Sequence, residues 1–76
     1  MTTIRVTHIS DSDEVWSFIA AAGEDRNGAD NLWIDPVGWD KNGNVVVDVV
    51  ISDNDLVSWT EHQLDLLNSV ISYQVL

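Results

Sequence analysis

The sequence predicts an α+β domain, an antiparallel sheet covered on one face by two helices, and three observations carry that expectation. Residues 3–9 and the two runs around Lys41-Asn42-Gly43 have the alternating or β-branched character of strands. Two further segments, near 12–22 and 56–68, switch to helical spacing. Between the second and third strands, Asn42-Gly43 is the strongest short-range hairpin signal, because both positions tolerate positive φ.

Taken in order, TIRVTHI sets Ile4, Val6 and His8 against Arg5, Thr7 and Ile9, a half-buried strand. SDSDEVWSFIAAAG then spaces Val15, Phe18, Ile19 and Ala22 along one helical face. Asp11 and Glu14 suit a capping box at its start, and Gly23 suits the residue just past its end. Residues 23–30, GEDRNGAD, read as a polar loop.

With Asn42 and Gly43 as a two-residue turn, Trp39 falls opposite Val46, Val37 opposite Asp48, Asp35 opposite Val50 and Ile34 opposite Ile51. This register gathers Leu32, Ile34, Pro36, Val45, Val47, Val49 and Ile51 on a face for the helices. It gathers Trp33, Asp35, Val37, Trp39, Val46, Asp48 and Val50 on the other. Pro36 cannot donate to a ladder, so its strand belongs at an edge.

SDND offers N-caps for a second helix from Leu56 to about Asn68, and Ser58 with Glu61 offers a later capping box at Trp59. Its buried stripe is either Leu64, Leu67 and Ile71 or Leu56, Gln63, Leu67 and Val70. The tail VISYQVL is either the helical end of a β-α-β-β-α chain or a short final strand. The strand would complete the β-α-β-β-α-β order of the ferredoxin-like arrangement.

Seventy-six residues with 45% apolar content and four Trp make one folded domain, 1–76, with room for a single small core. There is no Cys, which removes disulfides, thiolate metal sites and Cys nucleophiles and fits a cytoplasmic protein. No apolar run approaches the ~20 residues that span a bilayer, and the N-terminus lacks the pattern of a signal peptide. Thirteen acidic residues against three basic ones give a charge of −10, beyond the magnitude of about 2–8 that keeps a small domain soluble. Such a field repels nucleic acid and anionic membranes and attracts a basic protein surface.

No catalytic or metal motif stands out. Asp40-Lys41-Asn42-Gly43-Asn44 fails as a calcium loop, since the positions that need Gly and Glu hold Val45 and Ile51. His8 and His62 have no paired spacing for zinc; His8 suits a strand end with one ring nitrogen satisfied locally, and His62 the solvent side of the second helix. No nucleophile elbow, P-loop or dinucleotide fingerprint occurs, so an enzyme, a cofactor and a metal are not expected.

Asp11, Asp13, Glu14, Asp53 and Asp55 suit helix starts, whereas Glu24, Asp25, Asp30, Asp35, Asp40, Asp48, Glu61 and Asp65 have no local structural role. Trp16 and Trp59 suit the core or its boundary. Trp33 and Trp39 share a face with Asp35 and Asp48, the composition of an aromatic anchor ringed by charge. The expected partner-binding set is therefore Glu24, Asp25, Asp30, Trp33, Asp35, Trp39, Asp48, Glu61 and Asp65. The same outer face could instead be covered in a homodimer.

The size, the single α/β domain, the absence of Cys and the clusters Asp11–Glu14, Glu24-Asp25 and Asp53–Asp55 resemble, in type and not in motif, the small acidic proteins that phages encode against bacterial defences. These are anti-CRISPR proteins and anti-restriction DNA mimics. The resemblance implies an inhibitor in host cytoplasm that occupies the basic nucleic-acid channel of a CRISPR effector or nuclease, its carboxylates standing in for phosphates spaced every ~1.7 Å of duplex. Two alternatives stay open, an immunity or antitoxin protein capping a basic nuclease toxin, and a halophilic structural or oligomeric domain, which ten Asp against one Lys would suit.

Overall fold

Strand β1 (Thr2–His8) turns Ile4, Val6 and His8 into the core and leaves Arg5 exposed on the other side, as its alternation requires. The structure, a computed structural model, describes residues 1–25 and 31–76. The chain continues through α1 (Glu14–Asp25), β2 (Leu32–Trp39), β3 (Val45–Ile51), a 3₁₀ turn (Asn54–Leu56), α2 (Val57–Leu66) and β4 (Val70–Val75). The tail is thus a strand, and the β-α-β-β-α-β order is complete. The sheet runs β2-β3-β1-β4, with every neighbouring pair antiparallel and both helices on one face. The strand that holds Pro36 lies at an edge, as its missing donor requires.

Helix α1 starts later and ends later than its sequence signals imply. Ser12 Oγ accepts the Glu14 N–H at 3.2 Å and the Asp13 carbonyl accepts the Ser17 N–H at 2.9 Å, so Ser12 and Asp13 open the helix. The Asp11–Glu14 capping box is not formed, because the Glu14 carboxylate is engaged elsewhere. Gly23 lies within the helix, since an internal Gly costs only about 1 kcal/mol relative to Ala and does not by itself end a helix. Of the expected polar loop, residues 23–25 are therefore helical, and 26–30 lie outside the described residues, as do the side chains of Ile19 and Ala22.

The hairpin departs from the two-residue turn. Asp40 N–H donates to the Asn44 carbonyl at 2.9 Å and Gly43 N–H to the Asp40 carbonyl at 3.2 Å, so residues 41–43 form a three-residue loop with Gly43 at φ 81°. Asp40 Oδ1 holds the loop shut by accepting the N–H groups of Asn42 (2.8 Å) and Asn44 (2.9 Å). A second slip follows between Pro36 and Gly38, where Val37 is the extra residue and Gly38 takes φ 150°. The observed partners are Trp39 with Val45, Asp35 with Asp48 and Ile34 with Val49, in place of those the two-residue turn requires.

Two single-residue slips restore the parity that one would have inverted. Leu32 and Ile34 consequently face the helices with Val47, Val49 and Ile51 as expected, and Trp33 and Asp35 face away with Asp48 and Val50. Trp39, between the two slips, pairs with Val45 on the helix side and not with the outer residues, and it stays 75% exposed.

Asp53 caps the 3₁₀ turn by accepting the Asp55 N–H at 3.0 Å, and α2 follows directly. The Ser58–Glu61 capping box is not formed, because the helix is already under way at Val57 and its N-cap, Leu56, makes no side-chain bond. The buried stripe is Leu56, Thr60 and Leu64, with the Thr60 hydroxyl satisfied by the Leu56 carbonyl at 2.7 Å. Leu67 adopts extended backbone and ends the helix short of Asn68, and Ile71 is exposed on β4 instead of lining a helical stripe.

The core joins Ile4, Val6, Val47, Val49, Ile51 and Leu32 of the sheet to Val15, Leu56 and Leu64 above it. Phe18 of α1 and Trp59 of α2 meet with ring centroids 5.3 Å apart, which ties the helices to each other.

Candidate functional site

The face of the sheet away from the helices carries one row of polar groups across all four strands. Register aligns Asp35 with Asp48, Asp48 with Arg5, and Arg5 with Gln74. Arg5 grips Asp48 through two bonds, Nε to Oδ1 at 2.8 Å and the terminal nitrogen to Oδ2 at 3.0 Å. Its hydrogen bond holds the Asp48 carboxyl below the usual carboxylate range against the opposing effect of burial, and the guanidinium is raised in turn. Asp35 sits directly opposite a second carboxylate, an arrangement that opposes pairing. Among the described residues Arg5–Asp48 is the one ion pair, and Asp35 has no cationic partner among them.

Beside this row, Trp33 is half-buried opposite Val50, which is only 7% exposed although no helix covers it. Trp33 and Asp35 thus share a face as expected, Asp48 shares it in neutralised form, and Trp39 has left it.

Glu61 and Asp65 lie on α2, on the opposite side of the sheet from Asp35 and Asp48. Tyr73 of β4 donates its phenol hydrogen to Asp65 Oδ1 at 2.8 Å. That bond, burial and the charges of Asp65 and Glu61 raise the phenol above its ordinary range. Asp30 lies outside the described residues, as do the side chains of Glu24 and Asp25. The expected binding residues that are described therefore divide between two surfaces.

Arg5 and Tyr73 are not in the expected set. Arg5 carries a usable signal, a base at an outward position of a strand in a chain rich in Asp. Tyr73 carries one only if the tail is a strand, which turns it toward α2.

Three other polar residues have structural roles or partners. Glu14 Oε2 accepts both the N–H (3.3 Å) and the hydroxyl (2.9 Å) of Ser69, bracing the start of α1 against the α2–β4 connection. His8 is buried, and its Nδ1 donates to the Ile9 carbonyl at 2.9 Å, while its Nε2 has no partner among the described residues. Asp40 is held below the usual range chiefly by the Asn44 N–H. Among the described residues no group of three or more His, Asp or Glu is placed to hold a metal, and no helix is long and apolar enough to cross a membrane. Comparison with protein-family models, with curated proteins and with solved structures gives no match.

Proposed function

We propose that this chain is a small acidic inhibitor that occupies a basic nucleic-acid-binding surface on a defence complex or nuclease, its carboxylates standing in for phosphates. The observation that supports this reading is the formal charge of −10 together with the shortage of compensation among the described residues: Arg5 is consumed by Asp48, and Lys41 stands at the hairpin tip. Carboxylates without a partner among the described residues are available to Lys and Arg rows of another protein. It binds a partner and performs no catalysis on this reading.

The test is capture of partners from host lysate at low salt, followed by competition with duplex DNA. A nucleic-acid-handling partner released by both DNA and salt is expected, and Asp35→Lys with Glu61→Lys should weaken its capture. Failure of DNA to displace the partner, or unchanged capture by the double variant, refutes charge mimicry. Asp48→Lys is a poor substitute, since it strands Arg5 beside a second cation.

A further inference from the structure

The two edges of the sheet are built differently. The β2 edge carries Asp35 and Pro36, which obstruct pairing with another strand, whereas each edge strand has one register slip, at Val37 in β2 and at Ile71 in β4. The β4 edge, Val70–Val75, has no charged residue, no Pro and no Gly. Exposed apolar side chains lie along it, Ile71 53% and Val75 43% exposed, with Leu76 58% exposed just past its end.

Its unpaired backbone groups can be assigned. Leu76 N–H donates to the Thr3 carbonyl at 2.8 Å, so in an antiparallel ladder Gln74 and Ser72 also bond to β1, at Arg5 and Thr7. Tyr73 and Val75 alternate with them and direct their N–H and C=O groups away from β1.

We propose that this edge pairs antiparallel with β4 of a second copy of the chain, joining two four-stranded sheets into one across a two-fold axis at Tyr73. That register sets Tyr73 against Tyr73, Ile71 against Val75 and Ser72 against Gln74, so apolar meets apolar and polar meets polar. Charge selects the same place: with −10 on each copy, contact costs least along a strip without ionised groups. Asp65 and Glu61 flank the strip and repel their counterparts, so salt tightens this contact, whereas it loosens one with a basic partner. Such a dimer does not depend on the proposed function, and it differs from a dimer through the outer sheet face.

Sedimentation velocity on the full chain tests it. A contact of this size falls at the small end of interfaces, so dimer is expected at about 100 μM and not at about 1 μM. Its fraction should rise between about 0.1 M and about 1 M salt, as the Debye length falls from about 10 to about 3 Å. Val75→Pro removes an N–H that the β1 ladder does not use, and Ile71→Lys places charge on the edge; both should stay at the 8.5 kDa monomer mass with unchanged circular dichroism. A wild-type chain that is monomeric throughout, or a dimer that survives both substitutions, overturns the proposal.

Discussion

Replacing Glu14 tests whether the contact that joins α1 to the α2–β4 connection holds the helices on the sheet. Ser69 is 2% exposed, and both its donors end on Glu14 Oε2. Glu14→Ala leaves a buried N–H and a buried hydroxyl without that acceptor, at about 1–3 kcal/mol for each group that stays dry. Allowing for some entry of water past a half-buried Glu14, the expected loss is about 2–4 kcal/mol. A domain of this length has a total stability of about 4–11 kcal/mol, so the loss is a large share of it. Glu14→Gln keeps an acceptor and removes the charge, so the two variants lose the same favourable interaction with the helix N-terminus, about 0.3–1 kcal/mol. Urea unfolding followed by Trp fluorescence measures both, and a double-mutant cycle with Ser69→Ala isolates the coupling. Equal losses for Ala and Gln, or a coupling below about 0.5 kcal/mol, would refute the assignment.

Tyr73 is the only tyrosine, so its ultraviolet titration is a single signal; it should fall above the ordinary phenol range and move down in Asp65→Asn. Because the folded-state value is raised, this contribution to stability is complete below the unfolded value of about 10 and is lost as pH rises through the folded one. Asp40 and Asp48 have the opposite sign, with folded values depressed below about 3.9, so their contribution is present above that pH and is lost on further acidification. Urea midpoints at pH 7 and about pH 3 should therefore differ less in Asp40→Asn than in the wild type. Asp35→Asn removes the like charge facing Asp48 and should stabilise by about 0.2–1 kcal/mol in the same assay, and a destabilised variant would contradict the register.

Local patterns are enough to find β1, the hairpin and both helices, because alternation, turn chemistry and helical spacing are properties of neighbouring residues. Register is harder. The three-residue loop and the Val37 bulge each move it by one, and nothing local to Asn42-Gly43 distinguishes a two-residue turn from a turn with one more residue. The Asp11–Glu14 capping box fails for a related reason: Glu14 has a better acceptor role with Ser69, 55 positions away. The tail is decided only by its pairing with β1, which is equally non-local.

The same distinction changes what the acidity means. Local rules assign Asp40, Asp48 and Asp65 no structural role, yet Asp40 closes the hairpin, Asp48 holds Arg5 and Asp65 accepts the Tyr73 phenol. Each of these bonds uses a carboxylate as an acceptor within the fold, and replacing it disturbs structure along with charge. Asp35 and Glu61 have no such bond among the described residues and lie on opposite sides of the sheet. A basic partner that needs both must wrap an edge of the sheet, whereas one that needs either alone can bind a single face. Comparing the two single reversals therefore separates the geometry of the contact from the existence of one, since a groove around the edge loses affinity with either and a flat contact with only one.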